Sequence, residues 1–206
     1  ISSPPTTPFG HEEASVDRLS DLVVNPEPPR LSSRRIIVLG RFESLVTQPI
    51  GGLYDYDDYE ISPLYRTYFF KNGELELFEH TSDCLRASGL DSRKDYGTTG
   101  TATLVEAPLR QQNPLIVRTK VLRLQHDQVR TAGDPPRDYE VAHLVAEVSV
   151  FDIAGQQRYQ TRKEILGRVP YQEDSDLLRI LGLTLGQKLL SDPGFLSAIE
   201  ASGGAS

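Results

Sequence analysis

The clearest hydrophobic pattern lies in the second half of the chain. In "YEVAHLVAEVSVFDI", residues 139–153, Ala142, Leu144, Ala146, Val148 and Val150 recur at every second position. That two-residue period is the mark of a strand with one face in a core. The other face carries His143, Glu147 and Ser149, but also Val141, Val145 and Phe151. The segment that follows, "QQRYQTRKEILGRV" at 156–169, has Arg158, Gln160, Arg162 and Glu164 on one side, and the intervening "AG" predicts a hairpin turn. A long, mixed strand is expected at 115–130, joined to the next by "GDPPRD".

Earlier in the chain, "RRIIVLGRFES" at 34–44 holds the continuous run Ile36–Leu39, which suits a strand buried on both faces. "SPLYRTYFF" at 62–70 suits a strand or extended segment. The helical period appears in 72–90, where Phe78, Thr81 and Leu85 share a face beside Leu77 and Cys84. Asn72 is placed to cap this helix, and Gly89 sits where a positive φ ends one. Residues 91–114 look loop-rich, with a short strand expected at 101–107. A second helix is expected at 174–190, capped by Asp174 or Ser175, with Leu178, Leu181, Leu185 and Leu189 along one face. Gly182 and Gly186 make a flat stripe on it. Glycine costs a helix about 1 kcal/mol relative to alanine, so the stripe predicts close approach to a sheet or another helix. A further turn or two is expected in "FLSAIEA".

The order is strand, helix, three antiparallel strands, helix. It predicts an α+β fold: a mainly antiparallel sheet with two helices packed on one face. Proline and serine are concentrated at the N-terminus, so residues 1–33 are expected to be a flexible tether. One domain then spans 34–200, followed by a disordered tail at 201–206.

Composition narrows the function. The formal net charge of -7 argues against a nucleic-acid binder and against a polybasic lipid anchor. Cys84 is the single cysteine, so neither an internal disulfide nor a thiolate zinc site can form. Its place on the apolar helix face marks it as a small core residue. There is no methionine, even at position 1, which suggests that Ile1 is a processed or engineered start with a segment before it.

No catalytic motif is present: no G-x-S-x-G, no phosphate-binding glycine loop and no H-E-x-x-H. The chain is therefore expected not to be an enzyme, and no catalytic, cofactor or metal residues are assigned. Of His11, His80, His126 and His143, none has metal-ligand spacing with another. His126 with Asp127 or Glu147 is the pairing to look for across strands. The acidic stretch "YDYDDYE" supplies Tyr54, Asp55, Tyr56, Asp57, Asp58, Tyr59 and Glu60. It ranks first as a solvated loop, second as a partner-binding loop and last as a calcium site, because the spacing lacks the glycine and distal glutamate of a calcium loop.

The stretches "ELELFEHTSDCLRASGL", "LIVRTKVLRLQHDQVR" and "AHLVAEVSVFDIAGQQRYQTRKEI", followed by an amphipathic helix, resemble the periplasmic auxiliary lipoproteins of bacterial ABC transport systems. Lipopolysaccharide-assembly lipoproteins share a similar layout. The resemblance covers about residues 72–190 and is one of pattern. It implies a signal peptide and a lipidated cysteine upstream of Ile1 as the only membrane attachment. It further implies a periplasmic, outer-membrane-anchored place, no catalytic residues, and docking on an envelope membrane protein or transporter component. The rival expectation is a domain that binds or transforms a small, lipid-like ligand in a pocket between sheet and helices near His126 and His143.

Overall fold

The structure is a computed structural model, and it describes residues 19–31, 36–46, 66–68, 73–97, 107–130, 134–172 and 176–200. The strands are β1 (Ser20–Asp21), β2 (Ile36–Gly40), β3 (Glu43–Ser44), β4 (Arg66–Tyr68), β5 (Asp91–Asp95), β6 (Leu115–Arg130), β7 (Asp138–Phe151) and β8 (Gln157–Pro170). The helices are α1 (Gly73–Ala87), the single turn α2 (Ala107–Arg110), α3 (Leu177–Leu190) and α4 (Pro193–Glu200).

All eight strands join one sheet, in the order β1-β8-β7-β6-β2-β5. One edge of β6 pairs antiparallel with β7 along its length. The other edge takes β2, β3 and β4 in succession. The sheet is mixed, which corrects the expectation of a mainly antiparallel one. The β6–β7–β8 meander and β4–β6 are antiparallel, but β1–β8, β2–β5, β2–β6 and β3–β6 are parallel. The cause is connectivity. After β2 the chain returns through α1 and lays β5 beside β2, and a helical crossover makes neighbouring strands parallel.

β5 itself, "DSRKD", falls in a stretch expected to be loop. It lies at the end of the sheet, and such a strand can be polar throughout. The sequence pattern shows burial, and β5 has little of it. The strand expected at 101–107 lies mostly outside the described residues, which resume as α2 at Ala107.

The core forms between one sheet face and α1, α3 and α4. Ala142, Leu144, Ala146, Val148 and Val150 pack with Leu77, Phe78, Leu85, Leu181, Leu185, Leu189 and Phe195. Three helices of two turns or more contribute, one more than expected, because "PGFLSAIE" forms a full helix with Phe195 and Ile199 buried. β2 is buried at every position, as its continuous apolar run requires. α3 begins at Leu177 with Asp176 as its cap, accepting from the Arg179 amide at 3.1 Å, in place of the expected Asp174 or Ser175.

Gly182 and Gly186 meet α1. A methyl group on Gly182 would stand 2.7 Å from the His80 Cβ, and one on Gly186 would stand 2.6 Å from the Cys84 Cβ. The Thr81 hydroxyl donates to the Gly182 carbonyl at 3.0 Å, so the two helix backbones are also stitched by a hydrogen bond. Gly89 ends α1 at φ 100°, and Gly155 turns the β7–β8 hairpin at φ 82°. Both conformations favour glycine.

Residues 19–31, expected within a flexible tether, lie against the domain. β1 pairs with the last part of β8, and the Leu22 amide donates to the Arg168 carbonyl at 2.8 Å. The chain then crosses α3. Arg179 donates to the Asn25 side chain and the Val24 carbonyl, and Gln187 donates to the Glu27 carbonyl, each at 3.2 Å. Leu31 closes the path by donating to the Ser88 carbonyl at 2.7 Å. Proline-rich composition signals an extended chain, and an extended chain offers its carbonyls to any surface that carries donors. Residues 1–18 lie outside the described residues.

Two outcomes test this packing. Leu181 is fully buried, so Leu181→Ala is expected to cost about 2–5 kcal/mol in urea unfolding; an unchanged midpoint would remove α3 from the core. Burial pushes the Cys84 thiol up to about 11, so native protein is expected to resist thiol reagents until denaturant is added. Rapid labelling without denaturant would mean that α1 and α3 part readily.

Candidate functional site

The acidic stretch from Tyr54 to Glu60 and His11 lie outside the described residues. His80 sits on α1 with its Nδ1 3.9 Å from Asp83. His126 and His143 lie on opposite faces of the sheet. His126 is in register with Ala142 and so shares the core-side face, while His143, one residue on, points the other way. They cannot line one pocket between sheet and helices. Neither expected histidine pairing forms as proposed: His126 Nε2 lies 3.3 Å from Glu140, and His143 Nε2 lies 2.6 Å from Glu164. Asp127 and Glu147 belong to the opposite face from His126. No group of three metal-ligating side chains occurs among the described residues.

The face opposite α1, α3 and α4 divides into two halves. At one end Arg123, Gln125, Asp127, Val141, His143 and Val145 are buried. Arg123 donates to the Gln125 side chain at 3.0 Å. Buried ionisable groups are tolerated when they are hydrogen-bonded; here Arg123 bonds to Gln125 along β6, and His143 bonds to Glu164 on β8.

At the other end the register sets two cross-strand rows. Arg118, Ser149 and Gln160 form one, and Lys120, Glu147 and Arg162 form the next. Lys120, Gln160 and Arg162 are exposed. The Arg118 guanidinium stacks over the Phe151 ring at 5.3 Å from its centroid. Three cations and one anion thus share a flat patch on a chain whose net charge is -7. The alternation of Arg118 with Lys120, and of Gln160 with Arg162, is visible in the sequence. Only the strand register shows that they converge.

β8 borders this patch and is held in place from the core side by Asp192. That carboxylate accepts from the Tyr159 hydroxyl at 2.8 Å, from the Lys163 ammonium, and from the Gly194 and Phe195 amides that begin α4. Beyond β8, β1 covers only Gly167 and Arg168. No helix is long and apolar enough to cross a membrane among the described residues.

No known protein family matches the sequence, and no curated protein does. Solved structures with a partly similar backbone include a neuraminyllactose-binding hemagglutinin homolog from Helicobacter pylori, with 10% identity and TM-score 0.43 over 86% of this chain and 96% of that one. A Xanthomonas campestris protein of family DUF330 has 8% identity and TM-score 0.44 over 89% and 92%. A minor lipoprotein from Acinetobacter baumannii has 14% identity and TM-score 0.37 over 81% and 93%. These likenesses are too low to assign a family.

Burial by itself would raise the Asp192 carboxyl, but the Lys163 ammonium, the Tyr159 hydroxyl and the Phe195 amide outweigh it and bring the group down to about 2. A carboxylate depressed in the folded state stabilises above its unfolded value near 4, and that contribution fades as pH falls through about 2. At neutral pH it amounts to about 2 kcal/mol. Asp192→Asn is therefore expected to be less stable by about that much at pH 7, with the gap to the parent closing as both are acidified. A gap independent of pH would show that the side chain acts only through its shape.

Proposed function

We propose that this chain is a non-enzymatic accessory domain of a bacterial envelope that docks an acidic surface of a partner protein on the exposed rows of its sheet. The observation that carries the reading is the convergence of Arg118, Lys120 and Arg162 around Glu147 in register on three neighbouring strands. A flat patch of this kind gives orientation and a faster encounter with an oppositely charged surface. The strands that present it are fixed by their own core, so the patch is organised before a partner arrives. The envelope setting is carried by the pattern-level resemblance of residues 72–190 to periplasmic auxiliary lipoproteins. The ligand-pocket alternative loses its support, because the two histidines that would line the pocket face opposite ways.

A photo-reactive amino acid in place of Gln160, exposed between the cationic rows, tests the reading in intact envelopes. It is expected to capture one predominant protein, with capture reduced at least about ten-fold by Arg118→Glu/Lys120→Glu and loosened by salt. Capture unaffected by the double reversal would overturn the assignment of this surface. Binding to vesicles of anionic lipid in place of protein would overturn the choice of partner.

A further inference from the structure

Residues 20–27 lie in a groove whose lining receives an extended chain. Its floor is Gly167 of β8. A methyl group there would stand 2.5 Å from the Leu22 Cδ2, so the missing side chain is the recess that Leu22 fills. Glycine inside a strand often marks such a close approach. The next residue, Arg168, lies on the other face of the sheet, with its guanidinium 4.7 Å from the centroid of the Tyr139 ring. Its Nε donates to the Asp21 carboxylate at 2.9 Å, and its carbonyl accepts the Leu22 amide at 2.8 Å. On α3, Arg179 donates to the Val24 carbonyl and Gln187 to the Glu27 carbonyl, each at 3.2 Å. Pro26, between these two carbonyls in the chain, is buried. The recess and the side-chain donors thus belong to the body of the domain. The strap of residues 19–31 supplies an acidic side chain, an apolar one directly after it, and backbone groups.

The strap's own fit is shallow. Among its residues only Leu19 and Pro26 are buried, while Leu22, Pro28 and Leu31 are half-buried. Val23 and Val24 stand 62% and 43% exposed. β1 matches β8 at two positions, and the side-chain bonds that hold the strap are open to solvent. A segment with few buried apolar contacts and solvent-exposed hydrogen bonds opens well before the domain unfolds.

We propose that this groove is a recognition site for an extended segment of a partner protein, one with an acidic residue directly before a branched apolar residue, and that residues 20–27 occupy it as a resident competitor. The partner's carboxylate meets Arg168, and its apolar side chain enters the recess at Gly167. Its backbone takes the Arg168 carbonyl and the donors on Arg179 and Gln187. Release of the strap uncovers all of these at once and frees the edge of β8 at Gly167 and Arg168 for strand addition. Because the strap is tethered, its effective concentration is on the order of mM. The affinity for a partner is therefore lowered by the fraction of chains in which the groove is occupied. The groove lies toward the C-terminal end of β8, past the cationic rows, and does not depend on them.

A labelled synthetic peptide of residues 19–31, added to the whole chain and followed by fluorescence anisotropy, is the probe. Leu22→Asp in the chain weakens the resident strap and leaves the groove's own residues intact. That chain is expected to bind the peptide at least about ten-fold more tightly than the parent does. Gly167→Ala added to it fills the recess and is expected to abolish binding. A peptide carrying Leu22→Asp is expected not to bind. Binding by the Leu22→Asp chain no tighter than by the parent would overturn the proposal. So would a Leu22→Asp chain that fails to fold, because the strap would then belong to the core. Amide exchange in the parent gives an independent reading. The Leu22 amide is expected to exchange at least about 100-fold faster than the amides of β7; equal protection would overturn the proposal, since the groove would then open only on unfolding. A parent chain that dimerises in sedimentation, and loses the dimer with Gly167→Ala, would assign the groove to the strap of a second copy and overturn the choice of partner.

Discussion

The contact on which the structure most depends is the one between two helix backbones, where Gly182 and Gly186 of α3 lie against Thr81, His80 and Cys84 of α1. Ordinary side chains would hold the helices at the usual 8–10 Å. Without side chains on α3, the axes come nearer, and the Thr81 hydroxyl reaches the Gly182 carbonyl. That spacing lets a layer of only two long helices cover the strands from β2 to β8. It also sets where α3 ends, and therefore where Asp192 stands to receive Tyr159 and Lys163 from β8. Glycine is a poor helix former, so the sequence gives up local stability for a tertiary contact.

Much of the fold is legible in the sequence where burial is one-sided and local. The alternation in β7, the Ala154–Gly155 turn, the leucine face of α3 and the apolar run of β2 each announce their element directly. What is not legible depends on partners distant in the chain. β5 is polar because it ends the sheet, and its parallel pairing with β2 follows from the helix between them. The path of residues 19–31 is hidden for a related reason: its bonds come from Arg179 and Gln187, more than 150 positions away. Composition describes a segment, whereas docking depends on the donors it meets.

The candidate site shows the same division. Arg118 is half-buried and Lys120 and Arg162 are exposed, and each is an ordinary strand residue taken singly. Their convergence depends on a bulge between Val121 and Arg123, which resets the register along β6. Beyond the bulge the same face carries buried Arg123, Gln125 and Asp127. One irregularity in one strand therefore stands at the boundary between a solvated charged surface and a buried polar one.

The strap formed by residues 19–31 also has a mechanical meaning. Its bonds to Arg168, Arg179, Gln187 and Ser88 lie in sequence along the chain, so tension applied at its N-terminal end loads them one after another. Each rupture releases a few residues of extended chain at about 3.3–3.6 Å apiece. The packing of the helices on the sheet is not pulled apart along the chain until the last bond, at Leu31, has parted. The strap thus behaves as a stepwise extensible coupling, which lengthens under a pull before the domain itself is strained.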